Sequence, residues 1–336
     1  MPYAREVNVR LRPFGRTDLN VSTFGLGCAR IGGIFKREPE EFVRLLSAAL
    51  DAGISFFDTS DIYSQGESET LVGRAFKKRR DRVVIATKAG YVLPSQRRLA
   101  ARLKPFVRPA IRLLGLSRQH LPASVRGSLA QDFSPAHLRR AVDGSLGRLG
   151  TDYLDLLQLH SPPADVVERG NWIGTLDALK AEGKIRYYGV SCDSVEAALA
   201  AVRHPGVSGL QVSISLLERD AVRVLDAVRE QGIGLIAREC LANGLLVKEV
   251  PPSEIRGYCQ SDEEAAAKAI QIAKYRNAAH EAGCTLTQLA LRYVSTLSGV
   301  SVTLIGVSSL AQLDALLANG LPSHDSPAPG AIPHFT

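Results

Sequence analysis

The chain has 336 residues, 45% hydrophobic and 22% charged, the balance of a soluble globular protein with room for one large α/β domain or two ordinary ones. No apolar run is long enough to cross a bilayer and the N-terminus lacks a signal-peptide core; Cys28, Cys192, Cys240, Cys259 and Cys284 are odd in number and without metal-type spacing, so a reduced, cytoplasmic protein is expected. The net charge of +7 would ordinarily point to nucleic acid or a membrane surface, but eight basic and no acidic residues lie between Tyr91 and Gln131, so the remainder of the chain is slightly acidic and no nucleic-acid partner is expected.

Residues 7–22 pattern as a β-hairpin with a polar turn near Gly15–Asp18, suited to plug the bottom of a barrel. Phe24–Cys28 follows as a strand, in which Gly27 would let a ligand approach the backbone. Helical spacing over Pro39–Ala52 ends at Gly53, and the apolar strand Ile54–Asp58 runs out on a carboxylate. Helix Glu67–Lys78 and strand Val83–Lys88 come next, the latter ending on an amine. Ser134 and Pro135 open a helix that stops at Gly150, and strand Tyr153–His160 ends on an imidazole. The alternation continues with helix 172–182, strand 185–191, helix 194–202, strand 209–214, helix 219–231 and strand 233–238. Helix 285–297, strand 302–306 and helix 310–318 close it, before an irregular tail over 319–336.

Two stretches break the rhythm. A Pro-, Gly- and Ser-rich loop over 243–262 precedes an extra helix over 263–282. Residues 91–131 form a basic amphipathic insertion, with Leu99, Leu103, Phe106, Val107, Ala110, Ile111 and Leu114 at helical spacing and Pro105 and Pro109 set to kink it. It is expected to pack as a lid on the barrel top; a helix for a membrane surface or an anionic partner and a segment that orders only when ligand binds are the disfavoured alternatives.

Eight strands alternating with helices imply a parallel sheet and a single TIM (β/α)₈ barrel domain with an N-terminal hairpin plug. A doubly wound sheet usually announces itself by G-x-G-x-x-G after its first strand, and this chain has none there. In a barrel the strand C-termini share one rim, where chemistry is done. That rim collects Asp58, Tyr63 on the following loop, Lys88 and His160. Singly, each has an ordinary structural reading: a loop cap, a packed ring, an ion pair, a core histidine. Together they suit carbonyl reduction. Tyr63 would give a proton to the developing oxyanion, Lys88 held by Asp58 would lower the phenol's pKa, and His160 would orient the carbonyl. A barrel lyase using Lys88 as an imine-forming amine and a non-catalytic nicotinamide-binding sensor or scaffold are the competing functions.

The segments "GISFFDTSDIYSQGESETLVGRAF", "VVIATKAG", "LRRAVDGSLGRLGTDYLDLLQLHSP" and "LKAEGKIRYYGVS" resemble the motifs of the aldo-keto reductases. The resemblance covers nearly the whole chain apart from 91–131 and the tail. It implies a TIM barrel, NADPH as hydride donor with NADH as an alternative, and a small-molecule aldehyde or ketone as substrate. It implies Tyr63 as the acid, supported by Asp58, Lys88 and His160. Cofactor contacts carry over to Gly27, Cys28, Ala29, Asp58, Ser191, Cys192, Gln211, Arg238, Leu241, Gly306, Ser308 and Gln312. Ser191 and Gln211 would hold the carboxamide, and Arg238 stands where an aromatic ring often stacks on the nicotinamide. Cys192 replaces a common asparagine and Cys240 a frequent proline. Val307 and Gln312 place no cation on the usual 2′-phosphate contacts, and Leu316 replaces a frequent asparagine at the adenine. Ile62, Tyr91 and Trp172 are candidates for the pocket wall, Trp172 fitting helix packing equally well.

Overall fold

The computed structural model describes residues 9–33, 38–94, 129–318 and 321. The amphipathic helix expected within the insertion lies over 95–128 and, like the tail from 319 save residue 321, falls outside the described residues.

The hairpin forms as β1 (Leu11–Pro13) and β2 (Asn20–Ser22), paired antiparallel. The chain then alternates through β3 (Phe24–Gly27), α1 (Pro39–Asp51), β4 (Phe56–Asp58), α2 (Glu67–Phe76), β5 (Val84–Ala89), α3 (Pro135–Leu149) and β6 (Leu154–His160). The second half holds α4 (Ala164–Arg169), α5 (Ile173–Ala181), β7 (Ile185–Ser191), α6 (Val195–Val202), β8 (Gly209–Ser213), α7 (Leu225–Gln231) and β9 (Gly234–Arg238). Then come α8 (Pro252–Arg256), α9 (Asp262–Glu281), α10 (Leu286–Thr296), β10 (Val300–Ile305) and α11 (Leu310–Ala318). Strands β3 to β10 close into an eight-stranded parallel barrel, in which β10 pairs with both β9 and β3. Among the described residues no helix is long and apolar enough to cross a membrane.

Local chemistry explains the element ends. Ser134 accepts a hydrogen bond from the His137 amide with Pro135 at the first helical position, and Gly150 closes α3 in the left-handed conformation. Thr285 and Gln288 cap α10 reciprocally. The sequence pattern misses α4, a six-residue helix behind Pro162 and Pro163 that is too short to show a stripe. The expected helix 219–231 divides into a 3₁₀ turn over Asp220–Val224 and α7, and the loop 243–262 contains α8. Trp172 is buried beside Tyr188 and His204, which makes it helix packing instead of pocket wall.

Besides a separate apolar cluster around α8, α9 and α10, two apolar layers result. The outer one, between strands and helices, is the larger. The inner one fills the barrel with Phe56, Val84, Ala86, Leu156, Ile236, Val302 and Leu304 around Phe14 from the hairpin turn. Phe14 needs glycines opposite it: a Cβ at Gly234 would stand 2.5 Å from its ring and one at Gly209 3.3 Å. The hairpin is thus a plug seated by side chain.

Alternation along the strands then fixes the rim. Residues two apart share a face, so one step above the inner layer the lumen receives Asp58, Lys88, Gln158, Arg238 and Gly306, and a further step along β6 gives His160. Registry aligns Gly27 with Asp58, Lys88 with Gln158, His160 with Ser191, and Ser191 with Gln211.

Candidate active site

At the barrel mouth Lys88 is buried, and its ammonium donates to Asp58 Oδ2 at 2.5 Å, to the Thr59 carbonyl at 3.1 Å and to the Tyr63 hydroxyl at 3.3 Å. Asp58 is further held by Gln158 Nε2 at 3.1 Å and Gln211 Nε2 at 2.9 Å, both donating to Oδ1. The Tyr63 and His160 rings meet edge to face with centroids 5.8 Å apart. The four residues expected to act together are therefore brought together.

Electrostatics assign their charge states. Burial disfavours the Lys88 ammonium, but Asp58 and Tyr63 outweigh it and hold the amine above its ordinary value. For His160, burial, then Lys88, then Arg238 drive the pKa well down, so the imidazole is neutral. Tyr63 departs from the sequence expectation. Burial raises its pKa by more than Lys88 lowers it, and the phenol stays above its usual range. Lys88 acts in the expected direction, but desolvation of the would-be phenolate prevails. Tyr63 consequently keeps its proton at neutral pH, the state a proton donor needs.

The backbone after Tyr63 is strained. Ser64 and Gln65 both lie at positive φ (51° and 63°) ahead of Gly66 at 87°, a left-handed run that side chains disfavour. The Ser64 hydroxyl donates to the Ile31 carbonyl at 2.8 Å, tying the turn to the loop after β3.

Opposite this group, Ser191 Oγ donates to Gln211 Oε1 at 3.1 Å. Arg238 pairs with Asp193 at 2.6 Å and Glu239 at 2.9 Å and donates to the Cys192 carbonyl. Such bonds run in the guanidinium plane and leave its faces available for stacking. Gly27 and Gly306 end adjacent inward positions, and a Cβ at Gly306 would meet nothing within 4 Å, so the rim is open there. Ala29 is exposed and Leu241 half-buried beside this edge. The Ser308 amide and hydroxyl both donate to Gln312 Oε1, at 2.8 and 3.1 Å. Cys28 and Cys192 are buried in the outer layer and their amides are spent on the Asp58 and Gln211 carbonyls, so their thiols lend no support to a ligand contact.

The structure adds residues that the sequence reading did not select. Gln158 is inward-facing and its Oε1 is a buried acceptor without a hydrogen-bond partner. A glutamine two positions before His160 in an otherwise apolar run was its signal. Ser60 Oγ lies 3.1 Å from His160 Nδ1, a contact made across a hundred residues of sequence and invisible without the fold. Tyr91, already a pocket-wall candidate, meets the His160 ring edge to face at 4.8 Å, and Gln131, a further addition, donates from Nε2 to the His160 and Ser161 carbonyls. Tyr91 and Gln131 also bridge antiparallel, so both feet of the insertion rest on His160. Among the described residues there is no cluster of three or more His, Cys, Asp or Glu able to hold a metal.

The residues present fit a nicotinamide. Gln211 spends one N–H on Asp58 and keeps a second, and the Ser191 hydroxyl keeps acceptor capacity, so together they can satisfy a carboxamide. Nothing between Gly306 and Ala318 carries positive charge.

Comparison with known proteins agrees with this geometry. A family model for the Aldo/keto reductase family matches residues 23–324. The Bacillus subtilis (strain 168) protein called uncharacterized oxidoreductase YqkF is 28% identical over 310 residues, covering 91% of this chain and 89% of its own. L-galactose dehydrogenase of Arabidopsis thaliana is 28% identical over 322 residues, with coverage of 92% and 88%. Among solved structures, aldo-keto reductase AKR11C1 from Bacillus halodurans, in its holo form, superposes with a TM-score of 0.75 at 28% identity, covering 94% of this chain and 92% of that one. A closed barrel with a hairpin plug, a polar rim built on its strand ends, and a family match across most of the sequence lead to one conclusion: the chain belongs to the aldo/keto reductase family.

Proposed function

We propose that this oxidoreductase reduces a small aldehyde or ketone to the alcohol, with NADPH as the hydride donor and NADH as an alternative. The observation that carries the proposal is the line from buried Asp58 through buried Lys88 to the Tyr63 hydroxyl at the barrel mouth. Bound nicotinamide supplies the hydride, and the chain must do the rest. Tyr63, protonated at neutral pH, gives its proton to the oxygen as negative charge builds there. The Lys88 ammonium stands 3.3 Å from the phenol oxygen and stabilises the phenolate left behind, an interaction stronger in the transition state than before it. Asp58 holds Lys88 in place and keeps it charged. Neutral His160 can donate to the same carbonyl oxygen without adding charge. Ser191 and Gln211 would orient the carboxamide, and the Arg238 plane would lie against the ring. The adenosine end would rest near Gly306, Ser308 and Gln312.

An imine-forming role for Lys88 is disfavoured, because a nucleophilic amine must be neutral and Asp58 holds this one charged. Titrating the protein with NADPH and NADH should quench fluorescence, more tightly for NADPH. A panel of aldehydes should then consume NADPH, and Tyr63→Phe should lose turnover by at least about a hundredfold while keeping its affinity for the cofactor. Failure to bind either nucleotide, or full activity in Tyr63→Phe, would overturn the assignment.

A further inference from the structure

Between Asp58 and Tyr63 the loop carries a second set of polar groups with no part in the line just described. Ser60 Oγ stands 3.1 Å from Asp61 Oδ1 on one side and 3.1 Å from His160 Nδ1 on the other, and it accepts from the Ile62 amide at 3.3 Å. Ser60, Asp61 and His160 are all buried. We propose that Asp61, acting through Ser60, sets which ring nitrogen of His160 carries the proton, and so whether His160 presents a donor or an acceptor to the substrate oxygen.

The argument is a proton count. A serine hydroxyl has one proton to give and two lone pairs to receive, and the Ile62 amide takes one lone pair. Two arrangements satisfy every atom. In the first, Asp61 is a neutral acid that donates to Ser60, Ser60 donates to Nδ1, and His160 carries its proton on Nε2. In the second, Asp61 is a carboxylate that receives the Ser60 proton, and Nδ1–H donates to Ser60, which leaves Nε2 bare. With the acid proton on Oδ1, the Asp61 atom that faces Ser60, any mixture sets two lone pairs or two protons face to face in a buried site, at a cost of about 1–3 kcal/mol. Passing from the first state to the second releases one proton. The Asp61 proton moves to Ser60, the Ser60 proton moves to Nδ1, and the Nε2 proton leaves at the barrel mouth.

The surroundings place this change at an accessible pH. Burial and then Glu69 of α2 raise the Asp61 carboxyl, against Ser60, Arg148 of α3 and the Ile62 amide, and bring it to about 7. Glu69 is itself bound by Arg148 at 2.6 Å and by Thr87 Oγ1 at 2.5 Å. His160 faces Lys88 of β5, Arg238 of β9 and the Tyr63 and Tyr91 rings; the two cations and burial keep it from charging. A neutral imidazole has only its tautomer left to vary. Resting on the carbonyl-reductase proposal, the consequence is directional: Nε2–H suits binding of a carbonyl, and bare Nε2 suits an alcohol whose hydroxyl must be accepted.

The test is long-range ¹H–¹⁵N spectroscopy of the full chain labelled in histidine, without nucleotide, with His160 assigned by its loss in His160→Gln. Wild type should pass from Nε2–H to Nδ1–H as pH rises, with a midpoint near 7. Asp61→Ala should abolish that transition, and so should Ser60→Ala, while Ser60→Thr, which keeps the hydroxyl, should restore it. A His160 signal that does not move with pH in wild type, or that moves with an unchanged midpoint in Asp61→Ala or Ser60→Ala, overturns the proposal. The readout needs neither cofactor nor turnover, so it succeeds or fails independently of the NADPH assays.

Discussion

The Asp58–Lys88 pair offers the sharpest quantitative test, because both partners are buried and each has a different residue of support. Breaking a buried ion pair by removing one member costs roughly 3–5 kcal/mol, since the other charge is stranded. In Asp58→Asn the stranded group is the Lys88 ammonium. It retains the Thr59 carbonyl and the Tyr63 hydroxyl as acceptors but faces no counter-charge. The new amide must accept from both Gln158 and Gln211 through its oxygen, which turns its own N–H groups toward Nζ. In Lys88→Met the stranded group is the Asp58 carboxylate, which still accepts from two glutamine amides. Asp58→Asn is therefore expected near the top of that range and Lys88→Met near the bottom. The double variant strands no charge and should recover most of the loss, giving a coupling energy above about 3 kcal/mol in a double-mutant cycle read by denaturant unfolding. The sign of the pH dependence follows from Lys88. Its folded pKa is raised, so its contribution is complete below the ordinary lysine value of 10.5 and is lost only as pH climbs through the higher folded value. The coupling should stay constant throughout the neutral range. Additive single losses, each under about 1 kcal/mol, would refute the picture of a dry, mutually dependent pair.

Other consequences are open to direct measurement. Gln65→Gly, which relieves a left-handed side chain 63° into positive φ, should raise stability by about 0.5–1 kcal/mol, seen as a higher Tm. Phe14→Ala empties the bottom of the barrel where Gly209 and Gly234 supply no replacement atoms, and should cost about 3–5 kcal/mol in chemical denaturation. Asp61 has a folded pKa raised from 3.8 to about 7, so its contribution to stability is complete below the unfolded value and falls as pH rises toward the folded one. Asp61→Asn should therefore gain on wild type by a few kcal/mol across that window, in unfolding curves recorded at each end.

Much of this molecule could be read from sequence because the governing patterns are local. The β/α alternation, the capping residue Ser134, and the polar residues that end β4 and β6 follow from neighbours a few positions apart. Once the barrel is granted, a two-residue period carries Asp58, Lys88 and His160 to the lumen without further information. What escaped depends on distances that no period encodes. The Ser60–His160 contact joins β4's loop to β6, and the bond from Gln158 to Asp58 likewise spans a hundred residues. The Tyr63 pKa runs against the sequence expectation for a related reason. The cation beside it was identifiable from sequence, but the depth of burial opposing that cation belongs to the folded pocket.

The ladder at Tyr91 and Gln131 reaches beyond its immediate contacts. Val92 donates to the Ala130 carbonyl at 2.8 Å and Asp132 to that of Gly90 at 2.7 Å, so the polypeptide departs from the barrel and returns to it at a single zipped junction. The ring of strands closes through residues on either side of this stem. The eight strands complete the cylinder with no residue from between the two feet, while the stem itself abuts the His160 ring. The junction is a seam at which the intervening chain can be exchanged while the strand pairing of the cylinder is kept.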